Sequence, residues 1–142
     1  MAVSPFSVPT LSEELEAVFQ HWRSLIRGNN NMPFWDDFAP HDLGDRADSC
    51  LLLDVFDKPL RFRFSSGVLG AKIAQRASES VSDMFTDEVA PEPPFDFLNA
   101  QGSATVETRA PTFYKGGDYA RLALPMWGDG RVGMILVAYD WN

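Results

Sequence analysis

The chain has 142 residues, of which 45% are hydrophobic and 23% are charged, a composition typical of one globular domain rather than a disordered segment. Twelve basic against 20 acidic residues give a net charge of −8, which argues against a partner made of nucleic acid or anionic membrane. One cysteine and two histidines exclude a disulfide scaffold and a cysteine-based zinc site.

Nothing in the sequence predicts export or membrane insertion. The first nine residues hold no Lys or Arg and no long apolar stretch, so they do not resemble a signal peptide. The longest apolar run, 134–139, is too short to span a bilayer. Because Cys50 is the single thiol, the chain is expected in the reducing cytoplasm.

An amphipathic helix is predicted over residues 11–27. Thr10 and Glu13 have the spacing of a capping box, and Gly28 follows the predicted end. The helix and the polar loop after it, residues 1–31, are interpreted as an extension preceding a domain of residues 32–142. The apolar stripe of the helix provides either a dimer or partner interface, or a packing surface within the chain. This stripe consists of Leu11, Leu15, Val18, Phe19, Trp22, Leu25 and Ile26.

The next segments predict two strands followed by broken helices. Residues 50–56 and 60–65 form the strands, joined by a tight turn at Asp57-Lys58-Pro59. In the second strand, Leu60, Phe62 and Phe64 are expected on one face and Arg61, Arg63 and Ser65 on the other. Short helices are predicted over 68–76, around 81–85 and from Phe95 onward, with prolines at 91, 93 and 94 between the last two.

The last third of the chain predicts three strands. They cover residues 104–114, 119–126 and 131–141, and Asp129-Gly130 predicts a hairpin turn between the last two. Residues 132–139 are nearly all apolar, which predicts a strand covered on both faces. The whole order is a helix, two strands, several short helices and three strands.

This order resembles the PAS-domain superfamily. Residues 51–55 (Leu-Leu-Leu-Asp-Val) and 61–64 (Arg-Phe-Arg-Phe) are similar to the first two strands of a bacterial single-domain PAS-like family of mostly unassigned function, and 119–126 (Tyr-Ala-Arg-Leu-Ala-Leu-Pro-Met) to its penultimate strand. The resemblance spans roughly residues 15–141 and departs from the family pattern at Ser65-Ser66-Gly67. It implies an α+β fold: a five-stranded antiparallel sheet with short helices on one face and an N-terminal amphipathic helix.

The resemblance also implies a ligand cavity and excludes the usual cofactors. A haem-binding or photoactive flavin PAS domain needs a His or Cys in the middle helices, whereas His21, His41 and Cys50 lie elsewhere, so no cofactor is expected. Arg63, Arg109 and Arg121 would clamp an anionic ligand or form salt bridges across the sheet, for instance with Glu107 or Asp54. The apolar residues of this candidate cavity would, as the alternative, form plain hydrophobic core. The candidate cavity residues are Arg63, Ile73, Phe85, Phe95, Phe97, Leu98, Arg109 and Arg121.

Other polar signals are weaker. His41-Asp42 lacks the further histidines of a metal hydrolase, and the acids of residues 36–48 lack the spacing of an EF-hand loop. Seven acidic and no basic residues lie between Arg76 and Arg109, forming either a solvated face or a surface that steers a basic partner.

These observations favour a non-enzymatic PAS-like signalling module of the bacterial cytoplasm that acts through protein–protein contacts, with or without control by a small ligand. The expected partner is a sensor kinase or another regulator, and the expected state is a homodimer. The alternative is a sensor or carrier of a small anion in the cavity. A third hypothesis, a small α+β enzyme, would require a convergent His/Asp or Asp/Arg pair.

Overall fold

A computed structural model describes residues 6–142, apart from the side chains of Ser66 and Gly67, so the signal-peptide prediction lies partly outside the described residues. Within this range the helices are α1 Glu13–Ser24, α2 Ala71–Arg76 and α3 Leu98–Thr108. The strands are β1 Cys50–Phe56, β2 Arg61–Leu69, β3 Thr112–Lys115, β4 Tyr119–Gly128 and β5 Arg131–Trp141. Segments of 3₁₀ helix cover Trp35–Asp37, Pro40–Ser49 and Thr86–Glu88.

The strands form one antiparallel sheet in the order β2-β1-β5-β4-β3. The predicted α+β class with a five-stranded antiparallel sheet is therefore confirmed. An isolated antiparallel bridge between Arg63 and Phe85 extends the β2 edge, and the Phe113 amide at the β3 edge donates a hydrogen bond to the Phe6 carbonyl oxygen at 2.9 Å.

Helices cover both faces of the sheet. On one face, α3 approaches so closely that a Cβ on Gly102 would lie 2.9 Å from the Phe62 ring. On the other, α1 buries Leu15, Val18 and Trp22, and the Trp22 indole donates to the Pro125 carbonyl oxygen at 2.9 Å. Residues 135–139 of β5 are all buried, as their apolar run predicts.

Two predictions about the hairpins of the sheet are confirmed. Asp129 and Gly130 have positive φ values of 56° and 78°, the backbone that a tight hairpin turn between β4 and β5 requires. Strand β1 has the predicted bounds, and Phe62 and Phe64 of β2 are buried on one face. Leu60 lies before β2 and is exposed, in contrast to its predicted place with these phenylalanines.

The prediction of a strand over 104–114 is wrong, because α3 continues to Thr108 and β3 begins only at Thr112. Thr105 and Val106 favour a strand locally, but Gln101 and Thr105, one helical turn apart, are both fully buried against the sheet. Packing of this helical face overrides the local preference.

Smaller differences concern the helix boundaries. Ser12 caps α1 in place of Thr10, and its hydroxyl accepts a hydrogen bond from the Leu15 amide. Val68 belongs to β2 and not to the first middle helix, which begins at Ala71. Residues 81–85 form no helix, because the backbone of Asp83 and Met84 hydrogen-bonds to Phe64 at the β2 edge. The helix predicted from Phe95 begins at Leu98.

Candidate functional site

The centre of the interior between α3 and the sheet is a buried arginine. Arg121 of β4 has no exposed surface, and its Nε donates to Oε1 of Gln101 on α3 at 2.7 Å. Its two terminal nitrogens donate to main-chain oxygens of the linker before α3, Nη1 to Pro94 at 3.0 Å and Nη2 to Asp96 at 2.8 Å. The guanidinium group therefore holds the linker against the sheet.

Three tyrosines surround this guanidinium group. The Arg121 Cζ atom lies 4.8 Å from the ring centre of Tyr114, 5.7 Å from that of Tyr119 and 5.9 Å from that of Tyr139. The Tyr119 hydroxyl hydrogen-bonds to the Asp96 carboxylate, and Tyr114 donates to the same carboxylate at 3.0 Å. Because Arg121 Nη1 lies 3.4 Å from the Tyr119 hydroxyl, this hydroxyl connects the buried positive charge to the negative one.

The tyrosines remain protonated near neutral pH. Burial raises the pKa of Tyr139 to about 12. Burial is also the main cause that raises the pKa of Tyr119 and of Tyr114, and the hydrogen bonds to Asp96 act in the same direction. As neutral donors these hydroxyls fix Asp96 and, through a 2.6 Å bond from Tyr139, the Pro94 carbonyl oxygen.

The space predicted as a ligand cavity is filled at this point by the chain itself. Ile73, Phe95 and Leu98 are buried, and the rings of Phe64 and Phe95 lie 5.0 Å apart. A crevice of only about 10 Å³ lies near Val81 and Phe95, too small for an organic ligand. These apolar residues thus match the plain-core alternative, while Arg121 binds main-chain oxygens where an anionic ligand was considered.

The other predicted cavity residues lie outside this interior. Arg63 pairs with Asp54 at 3.0 Å, as the salt-bridge alternative predicted. Phe85 lies beside Arg63 at the β2 edge, and Phe97 is 62% exposed. Arg109 is not on a strand, because it ends α3 with a positive φ of 54° and stacks over the Trp127 ring at 5.5 Å.

The predicted interface stripe of α1 is divided between two environments. Leu15, Val18 and Trp22 belong to the buried core of this chain, which matches the packing alternative. The other four side chains are partly buried against that core, namely Leu11, Phe19, Leu25 and Ile26. The outward part of the stripe therefore presents much less apolar surface than its sequence pattern indicates.

A second candidate region lies where the β1–β2 and β4–β5 turns meet. Cross-strand pairing puts Asp54 beside Arg63 and Met134, and Phe56 beside Arg61, all on the face that α1 covers elsewhere. Trp35, 49% exposed, closes a cleft of about 310 Å³ over Gly128 and Met134. We call this region the hairpin-end surface: Trp35, Asp54, Phe56, Arg61, Arg63, Phe85 and Met134.

Arginine–aromatic contacts organise the hairpin-end surface. The Arg61 guanidinium lies 3.7 Å from the centre of the Phe85 ring, and that of Arg63 4.9 Å from the Phe56 ring. Arg61 also forms a two-point ion pair with Asp87 at 2.8 Å, which holds the pKa of that carboxyl below its usual value. The surface thus combines exposed rings with charges of both signs.

A third region, between α1, α2 and the end of β5, contains two adjoining clefts of about 360 and 490 Å³. Both are lined by Glu14 and Lys72. Arg76 stacks over Trp141 at 4.0 Å, and the Trp141 indole donates to Ser49 at 3.0 Å. Acidic and basic groups alternate along these clefts, so their charge favours neither anions nor cations.

Several residues of the interior network were not identified from the sequence. Gln101 also donates through Nε2 to the main-chain oxygens of Thr112 and Arg121, yet a glutamine within a helix gives no distinguishing pattern. Asp96 was one acid in a long acidic stretch. The alternation of Tyr119 and Arg121 along one strand was the available signal, since residues two apart share a face.

Comparison with family models, with curated proteins and with solved structures finds no match for this chain. Among residues 6–142, no helix has the length and apolar character needed to cross a bilayer. Within the same residues, no three His, Cys, Asp or Glu side chains converge as metal ligands would.

Proposed function

We propose that this chain is a non-enzymatic PAS-like regulatory module that acts through protein–protein contacts. The order of elements supports the PAS-like assignment, because two strands, a helical middle and three strands build one sheet in which the last strand, β5, lies at the centre between β1 and β4. The resemblance in residues 51–55, 61–64 and 119–126 falls on β1, β2 and β4, in agreement with the strands that it implied.

The observation that carries the proposal is the occupied interior. Arg121, the best-placed anion clamp of the sequence, already donates to Gln101, Pro94 and Asp96 of its own chain. A ligand there would have to replace three charge-assisted hydrogen bonds in a buried site. This arrangement favours a module that presents a surface over a carrier that encloses an anion.

The partner that best fits the hairpin-end surface is a second copy of the chain. Arg61 and Arg63 each form an ion pair, Arg61 with the adjoining Asp87 and Arg63 with Asp54 of the same surface. In a dimer with twofold symmetry, the arginines of one copy can therefore contact the acids of the other copy. Trp35 and Phe56 supply the exposed apolar area of such an interface. A sensor kinase or another regulator as the further partner remains a prediction from the resemblance.

Sedimentation equilibrium tests this proposal on the full chain. We expect a concentration-dependent dimer for the wild type and at least a tenfold weaker association for the double variant Trp35→Ser/Phe56→Ser, because exposed aromatic side chains dominate such contacts. The matched control is Phe97→Ser, an exposed aromatic elsewhere on the molecule, which should leave association unchanged. A wild type that stays monomeric, or equal effects of both variants, would contradict the role of this surface.

A further inference from the structure

A small cleft lies on the other side of the sheet end, between the end of α3 and the start of β5. Its volume is about 110 Å³, close to the space of four liquid water molecules. The lining combines four apolar residues with two arginines and one acid, namely Val55, Leu60, Val106, Val132, Arg109, Arg131 and Asp57. We propose that this cleft binds a small free monocarboxylate with a short apolar tail, of the size of propionate or butyrate.

Arg131 lines the cleft and is held in place by its own backbone contacts. Its Nη1 atom donates to the carbonyl oxygens of Val55 and Val132, both at 3.1 Å, which fixes the guanidinium plane. Among the described residues, its Nε and Nη2 atoms form no hydrogen bond. These two nitrogens form the edge that binds both oxygens of a carboxylate.

Arg109 supplies a second positive charge that no acid of the described residues neutralises. Its guanidinium stacks over Trp127, and within residues 6–142 no carboxylate lies within 4.0 Å of it or of Arg131. Two arginines therefore line one small cleft, and neither is neutralised by an ion pair within the described residues. Their convergence on one cleft therefore favours an anion.

The remaining lining residues define the tail and the charge of the ligand. Val55 and Val132 are 5% and 3% exposed and form an apolar wall that an alkyl tail can cover. Asp57 lies in the same lining, with its Oδ1 atom accepting from the Lys58 amide at 3.1 Å. Its negative charge disfavours a second negative charge on the ligand, so a dicarboxylate or phosphate should bind less well.

This inference goes beyond the proposed function and stands without it. The cleft shares Arg109 with the predicted cavity residues, but it lies at the sheet end and contains none of the other seven. Arg131 and Val55 line this cleft as well as the cleft beneath Trp35, so an anion bound here would lie next to the hairpin-end surface.

Methyl-detected NMR titration of the full chain at constant ionic strength tests the proposal, with butyrate, acetate, succinate and phosphate as probes. We expect saturable shifts confined to the methyl groups of Val55, Leu60, Val106 and Val132, with the tightest binding for butyrate. Arg109→Gln and Arg131→Gln should each weaken butyrate binding about tenfold or more. Asp57→Asn should reduce the preference for butyrate over succinate. The matched control Arg23→Gln removes an exposed arginine of α1 and should change nothing.

A steric variant keeps the test valid if the loss of Arg131 disturbs folding. Val106→Phe retains both arginines and fills the cleft from α3, so it should abolish the saturable shifts while thermal melting shows an intact fold. Shifts without saturation, shifts spread over the whole surface, or butyrate binding that survives Val106→Phe would each overturn the proposed site.

Discussion

At the scale of single residues, Arg121 has the largest energetic consequence. A buried guanidinium group without a direct carboxylate partner is stable only when its donors are satisfied, and here Gln101, Pro94 and Asp96 provide the acceptors. Removing the side chain takes the donor from Gln101 Oε1 and from the Asp96 main-chain oxygen, whereas the Pro94 oxygen keeps its hydrogen bond from Tyr139. The same residue therefore connects the sheet, the linker and α3.

We predict that Arg121→Leu lowers the free energy of unfolding by about 3–5 kcal/mol, because a buried charged network loses one partner. Chemical denaturation monitored by circular dichroism gives this value. The control is Arg63→Leu, whose ion pair with Asp54 is 40% exposed on the arginine side and should contribute at most about 1 kcal/mol. Equal losses of unfolding free energy for both variants would show that the interior network contributes no more to stability than the exposed ion pair does.

At the scale of secondary-structure elements, caps and turns decide where the helices and hairpins begin. Ser12 has an extended backbone with φ −63° and ψ 164°, and its hydroxyl accepts from the Leu15 amide at 3.4 Å. Thr10, which the capping-box spacing indicated, lies two residues before this cap. The two hydroxyl residues therefore allow a direct comparison.

We predict that Ser12→Ala lowers the free energy of unfolding by about 0.5–1 kcal/mol, the usual range for loss of a cap. Thr10→Ala is the matched control and should change it by less than about 0.5 kcal/mol, as expected of an exposed residue outside the helix. Urea denaturation of the two variants measures the difference. A larger loss of unfolding free energy for Thr10→Ala than for Ser12→Ala would show that Thr10 caps the helix, as its capping-box spacing predicts.

Elements with a strong pattern of their own were predictable, whereas those defined by long-range contacts were not. The Asp129-Gly130 turn and the apolar run of β5 identified the last hairpin nearly to the residue. Thr105, Val106 and Thr108 favour a strand locally, yet they belong to α3, whose buried face contacts β3 through Thr105 and Thr112. For the same reason Arg121 was recognised as a candidate, but its acceptors in the linker were not.

At the scale of the whole molecule, α1 is part of the core. Leu15, Val18 and Trp22 are at most 3% exposed, and each buried apolar side chain of this kind contributes about 1.5–3 kcal/mol. Their sum is comparable with the total stability of a typical domain, about 5–15 kcal/mol. The sheet is thus expected to depend on the helix that precedes it.

We predict that a chain lacking residues 1–24 loses cooperative unfolding, because one face of β4 and β5 becomes exposed to water. Near-ultraviolet circular dichroism and the dispersion of amide NMR signals measure the loss. As a control, removal of residues 1–5 alone leaves α1 complete and should preserve both signals. Native-like spectra from the chain that lacks residues 1–24 would show that residues 25–142 fold without α1.

The hydrogen bonds at the two sheet edges restrict how another molecule can dock. The Phe64 amide at the β2 edge donates to Met84, and the Phe113 amide at the β3 edge donates to Phe6. An incoming strand at either position would have to displace a segment of this chain before it could pair. Recognition by side chains, rather than growth of the sheet by β-strand addition, is therefore the mode of association that the edges of this molecule favour.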